Sequence, residues 1–122
     1  MGSFKELAAW KESMQLAVLV YRITSSFPDS ERLGLANQLR RSATSVPSNI
    51  AEGTGRYSRQ DTLRFLYIAR GSLNELETQS MIAASIGYIN ETKLESISGV
   101  ISSCGKMLNG LIVYYRKPVS NK

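Results

Sequence analysis

The stretch Leu94-Glu95-Ser96-Ile97-Ser98-Gly99-Val100-Ile101-Ser102-Ser103-Cys104-Gly105-Lys106-Met107-Leu108-Asn109-Gly110-Leu111-Ile112-Val113-Tyr114-Tyr115 decides the fold. Within it Leu94, Ile97, Ile101, Cys104, Leu108, Leu111 and Tyr115 follow one another at alternating steps of three and four. A strand would bring every second residue to one face. Steps of three and four gather side chains only on a backbone with 3.6 residues per turn. The stretch is therefore a long helix with one buried stripe.

The same spacing recurs upstream. Leu66, Ala69, Leu73, Leu76, Ser80 and Ala83 form a second stripe, and Leu35, Leu39, Ala43, Val46 and Ile50 a third that drifts along one face. Leu7, Trp10, Met14, Ala17 and Tyr21 form a fourth. Between them lie breaks with known chemistry. Phe27-Pro28-Asp29-Ser30 ends the first segment, and Asp29 or Ser30 is placed to cap the second. Gly53-Thr54-Gly55 reads as a flexible break, Ser58 with Asp61 as an N-terminal cap, Gly87 as a C-terminal cap, and Asn90 as the start of the last helix, which Lys117-Pro118 stops. The sequence predicts one domain, 1–122, of class all-α: an up-down antiparallel four-helix bundle with helices near 5–26, 30–53, 58–86 and 90–116. Pro47, inside the second helix, removes an amide donor and predicts a kink there.

The first helix carries two apolar stripes. Opposite Leu7, Trp10, Met14, Ala17 and Tyr21 lie Leu16, Leu19, Val20 and Ile23 at positions i, i+3, i+4 and i+7. One core uses one stripe. The expectation is that Leu16, Leu19, Val20 and Ile23 form an interface between copies of the chain; the alternative is a wider internal core.

Composition narrows the chemistry. The 122 residues contain no histidine, one cysteine and a formal net charge of +5. Without histidine the commonest general base and metal ligand are missing. Ser42, Ser45, Ser48, Ser58 and Ser72 have no activating base, and Cys104 sits in the core stripe of its helix. Glu75 and Glu77 are two apart and diverge on a helix. Glu91 and Glu95 suit a helix N-terminus. Glu77 turns toward the side of Leu66 and Leu73, where Arg70, Arg40 or a donor on the second helix would pair with it and fix register. No catalytic residue, cofactor or metal site is expected. Met1-Gly2-Ser3 has no signal-peptide pattern, no uncharged apolar run reaches the length of a membrane span, and a reducing, cytoplasmic setting without a membrane role is the expectation.

Six arginines and only two acids fall between Arg40 and Arg70. That imbalance points to an anionic partner. Arg40, Arg41, Arg56, Arg59 and Arg64 are the candidate contacts to RNA or DNA, and Tyr57 among them can stack on a base. Gly53-Thr54-Gly55 is not a phosphate loop: it lacks the preceding strand and the Gly-Lys-Ser/Thr ending.

Leu39-Arg40-Arg41-Ser42-Ala43, Val46-Pro47-Ser48-Asn49-Ile50-Ala51-Glu52-Gly53, and Arg64-Phe65-Leu66 with Ile68-Ala69-Arg70-Gly71-Ser72-Leu73-Asn74-Glu75-Leu76-Glu77-Thr78 carry a resemblance. Together with Phe4, Leu7, Trp10, Phe27-Pro28, Glu31, Gly34-Leu35 and Gly87-Tyr88-Ile89 they resemble the bacterial four-helix bundle proteins encoded in intervening sequences of 23S ribosomal RNA genes. The likeness spans roughly residues 4 to 116. It implies an up-down bundle, a ring-shaped homopentamer and no enzymatic activity. The family is also similar to accessory proteins of diversity-generating retroelements, which implies nucleic acid and a reverse transcriptase as partners.

Two functions follow as expectations. The leading one is a non-enzymatic homo-oligomeric scaffold that binds structured RNA or DNA through surface arginines. Five copies would multiply a charge of +5 to roughly +25. The alternative is a protein-interaction module without nucleic-acid binding.

Overall fold

In a computed structural model, residues 3–118 are described; Met1 and Gly2 of the Met1-Gly2-Ser3 start, and residues 119–122, lie outside them. Four α-helices follow in chain order: α1 Ala8–Thr24, α2 Leu35–Thr54, α3 Arg59–Ser85 and α4 Glu91–Arg116. Short 3-10 turns at Phe4–Glu6 and Asp29–Glu31 precede α1 and α2. No strand occurs among the described residues. Each helix packs closely on two others, α1 on α2 and α4, and α3 on α2 and α4, while the backbones of the diagonal pairs stay farther apart. The cross-section is therefore a square, and its short loops make neighbours antiparallel.

The middles of the stripes predicted on the last three helices are the core; Leu35, Leu94, Leu111 and Tyr115 at their ends are half-buried, and Ile112, outside the predicted stripe, is buried in their place. Leu39, Val46, Ile50, Leu66, Leu76, Ile97, Leu108 and Ile112 are essentially closed to water, with Cys104 among them. Burying one such large aliphatic side chain contributes about 1.5–3 kcal/mol. Ser80 is buried as well, its hydroxyl donating back to the Leu76 carbonyl at 2.8 Å.

Three predicted caps form. Ser58 Oγ accepts from the Asp61 amide at 3.0 Å, and Asn90 Oδ1 from the Lys93 amide at 2.9 Å. Gly87 takes φ of 90°, while the Tyr88 amide reaches the Ala83 carbonyl and the Gly87 amide the Ala84 carbonyl. That pair of bonds is a Schellman stop, which needs the left-handed conformation glycine adopts without a Cβ penalty.

The start of α2 differs from expectation. Neither Asp29 nor Ser30 caps it; both belong to the 3-10 turn, and α2 begins only at Leu35. The cap is Glu31, whose Oε1 accepts from the Leu35 amide at 2.9 Å. A Cβ on Gly34 would lie 2.5 Å from that oxygen, so the capping carboxylate occupies the space a side chain would need. α2 then runs unbroken through Pro47.

Gly53 also changes role. It is not a loose hinge but the buried penultimate residue of α2, where a Cβ would lie 2.7 Å from Phe65 Cβ and 3.2 Å from the Thr62 carbonyl oxygen. Thr62 Oγ1 donates to the Gly53 carbonyl at 2.8 Å. The missing side chain lets α2 and α3 close at this corner. Further along the same pair, Ser45 and Ser72 hydroxyls meet at 2.8 Å, and Ser42 Oγ donates to Gln79 Oε1 at 2.9 Å. These serines are a polar seam between helices.

Part of α4 is apolar enough, with a length sufficient, to meet the composition of a membrane span. Lys106 interrupts the stretch between Ser96 and Tyr115, so no uncharged run of spanning length occurs there. The residues that raise the hydropathy include Ile97, Ile101, Cys104, Leu108 and Ile112, all buried in the bundle.

Candidate interaction surfaces

α1 has two apolar faces, as its sequence requires, but they exchange places. Leu16 and Val20 are 0% exposed and Ile23 is 6% exposed. These three, proposed as an interface between copies, are core. Leu19 is half-buried against that core. A helical wheel defines the angle between two stripes, not which of them turns inward. The inward stripe is the one continued by Ala9, Ser13, Thr24 and Phe27, all buried.

The outward face holds Met14, Val18 and Tyr21 with the half-buried Trp10, while Ala17 of the same stripe is buried in the core and Leu7 packs against it. Met14 is 39% exposed, and Val18 and Tyr21 are each 45% exposed. With Thr44, Pro47, Ser48 and Ala51 of α2 they line an open groove of about 790 Å³. The small α2 side chains leave room for it. Arg22 is its one charged lining residue.

The predicted arginines do not form one patch. Arg40 lies near the start of α2 and Arg56 beyond its end, about 24 Å apart along a helical rise of 1.5 Å per residue. Arg40 Nε donates to Thr24 Oγ1 at 2.8 Å and its guanidinium lies 4.6 Å from the Tyr21 ring centroid, so it ties α2 to α1. Arg41 is exposed beside the α2–α3 seam, in a polar cleft with Glu75 and Gln79.

Arg56, Arg59 and Arg64 gather at the opposite end, around the start of α3. Arg56 pairs with Glu52 at 2.6 Å and Arg64 with Asp61 at 2.9 Å, and both stack on the Phe65 ring at 4.7 and 4.6 Å. Arg59 donates to the Tyr114 carbonyl and lies over the rings of Tyr114 and Tyr115 at 4.7 and 5.1 Å. A cation there meets the negative end of the α4 dipole. Beside this cluster Tyr57, fully exposed, Tyr67 and Arg64 line a shallow cavity of about 750 Å³ with Ser58, Gln60, Asp61 and Leu63. Sequence reading located Tyr57 but missed Tyr67, which lies one helical turn past Arg64.

Glu77 is exposed, not tucked against Leu73, and Arg70 instead donates to Asn109 Oδ1 on α4 at 3.2 Å. Among the described residues no three His, Cys, Asp or Glu side chains come together as metal ligands would. Burial, with a smaller contribution from the charge of Glu12, pushes the Cys104 thiol up to about 12, which leaves it protonated near neutrality.

The family model described as "23S rRNA-intervening sequence protein" matches residues 5–110. A solved structure from Bacteroides thetaiotaomicron VPI-5482, described as a protein with unknown function from the S23 ribosomal protein family, is similar at 27% sequence identity and a TM-score of 0.77. The match covers 86% of this chain and 98% of that one. No curated protein matches the chain.

Proposed function

Because the chain belongs to the 23S rRNA-intervening sequence protein family, we propose that it is a non-enzymatic, self-assembling four-helix scaffold that binds RNA or DNA at the end of the bundle where α3 begins. The observation that carries this reading is the convergence of Tyr57, Tyr67 and Arg64 on one cavity beside Arg56 and Arg59. Exposed aromatic faces accept unpaired bases by stacking, and neighbouring cations hold the phosphates. The arginines are already positioned by ring and carboxylate contacts, so little side-chain freedom is lost when a strand arrives. Arg40 acts in this reading as a tie between α1 and α2, and Arg41 as a remote cation. Assembly multiplies the charge of each copy and supplies avidity that a shallow site lacks.

Fluorescence anisotropy with labelled single-stranded and duplex RNA and DNA tests it. Binding is expected at 50 mM salt, weakening linearly in log–log form as salt rises. Tyr57→Ala is expected to weaken it by about tenfold. No binding of any probe at low salt overturns the nucleic-acid part.

The α1/α2 groove favours a second reading, a protein-interaction module without nucleic acid. Its mark is a protein partner that stays bound after nuclease treatment and is lost in Val18→Glu.

A further inference from the structure

The polar seam between α2 and α3 opens outward into a cleft of about 550 Å³, a size common among small-ligand sites. Its floor is ordered by hydrogen bonds. Ser42 and Ser72 are buried. Ser42 Oγ donates to Gln79 Oε1 at 2.9 Å, the Ser45 and Ser72 hydroxyls meet at 2.8 Å, and Asn49 Nδ2 donates to Ser45 Oγ at 3.0 Å. The Ser42 bond engages the oxygen of the Gln79 amide and leaves its Nε2 to donate elsewhere. Asn37 and Gln38 bring two more side-chain amides to the lining.

Two opposite charges share this cleft without meeting. Arg41 reaches it from α2 and Glu75 from α3, and both are exposed. Among the described residues the ion pairs join Arg56 and Arg64 to Glu52 and Asp61, so neither Arg41 nor Glu75 has a charged partner. The Ser42–Gln79 bond sets their register: Arg41 adjoins Ser42, and Glu75 stands about 6 Å along α3 from Gln79.

That arrangement selects the charge of a ligand. A plain anion such as phosphate would be repelled by Glu75, and a plain cation by Arg41. A molecule with a carboxylate at one end and an ammonium at the other satisfies both. A free amino acid holds those groups about 3 Å apart, whereas an extended dipeptide parts them by about 6 Å, close to the offset of the two side chains. Its peptide group also presents the donor and acceptor that side-chain amides match. Leu33, 86% exposed, lines the same cleft and offers an apolar contact to a ligand side chain.

We infer that the α2/α3 cleft binds a short zwitterionic peptide, with its carboxylate on Arg41, its ammonium on Glu75 and its peptide group on the Gln79 amide. The guanidinium fork matches a carboxylate in two parallel bonds, which makes Arg41 the stronger anchor. The site shares no residue with the Tyr57 cavity and depends on neither nucleic acid nor assembly.

Nuclear magnetic resonance titration of the isotope-labelled full chain, free of nucleic acid, tests it with alanyl-leucine as the probe. Millimolar peptide is expected to shift the amide signals of Ser42, Ser72 and Gln79 and the Arg41 side-chain signal. N-acetylation or C-terminal amidation of the probe is expected to weaken binding by about tenfold each, because each leaves one charged side chain unanswered. Arg41→Gln and Glu75→Gln, both at exposed positions, are expected to keep the wild-type circular dichroism and to lose affinity by a similar factor. If the doubly blocked peptide binds as well as the free one, or both variants bind as tightly as wild type, the inference falls. Free leucine binding more tightly than alanyl-leucine overturns the assignment to a peptide. No shift with millimolar alanyl-leucine overturns the site, and leaves the nucleic-acid reading as it stands.

Discussion

Tyr88, in the α3–α4 turn, donates its phenol to Glu31 Oε2 at 2.8 Å, while the other oxygen of that carboxylate caps α2 through the Leu35 amide. One carboxylate thus joins two connections far apart in sequence, and the Phe27 and Tyr88 rings pack over the same corner at 5.2 Å between centroids. The Leu35 amide first, and the Tyr88 phenol second, hold the Glu31 carboxyl below its ordinary 4.5. The same bond, then burial, raises the Tyr88 phenol above its ordinary 10.0.

The pH dependence follows from those directions. A lowered carboxyl value means that the charged form stabilises the fold; the contribution is complete above about 4.5 and is lost as pH falls through the lower folded-state value. Tyr88→Phe is expected to lower the thermal midpoint at pH 7, with the gap to wild type narrowing as pH drops below 4.5. Thermal melts by circular dichroism at stepped pH check this; a gap constant down to pH 2 contradicts it.

Gly53→Ala sets two effects against each other. Alanine gains about 1 kcal/mol of helix propensity over glycine. Its Cβ, however, would stand 2.7 Å from Phe65 Cβ, which is fixed to the α3 backbone and cannot swing away. Overpacking of that kind costs about 1–3 kcal/mol. A net loss of stability is expected in urea melts, whereas a flexible break would tolerate the change or gain from it.

Leu16→Ala and Met14→Ala distinguish the two faces of α1. Leu16 is closed to water and its truncation is expected to cost about 2–5 kcal/mol. Met14 is 39% exposed, and its truncation is expected to change the stability of the single chain by no more than about 0.5 kcal/mol. Denaturant titration in conditions that hold the protein monomeric measures both. Equal losses would return Met14 to the core.

Cys104 is 2% exposed with its thiol pushed up to about 12. The thiolate is the reacting form, so the native protein at pH 8 is expected to resist a disulfide reagent such as dithionitrobenzoate over hours. In guanidinium it is expected to react with one equivalent within minutes. Fast native labelling would mean that the α4 seam opens readily.

Much of this molecule was legible as sequence. The three-and-four spacing of Ile97, Ile101, Cys104 and Leu108 defines a helix face because backbone geometry is local, and Ser58, Gly87 and Asn90 act on amides and carbonyls within a few residues of themselves. The cap of α2 was less legible, because Glu31 works through a turn and a tyrosine fifty-seven residues away.

Tertiary structure decided what local rules leave open. Both stripes of α1 are apolar, and only the neighbours settle which turns inward: Thr44, Pro47, Ser48 and Ala51 of α2 are too small to cover Met14 and Val18, while Leu16 and Val20 are enclosed. The number of arginines is a property of the sequence, but their deployment is not. Arg40 rests on Tyr21 and Arg59 on Tyr114, partners nineteen and fifty-five positions away that meet only once the helices are packed. Periodicity acts through the bond-by-bond turn of the backbone, whereas burial and charge pairing depend on which distant surfaces the packed chain brings within contact range.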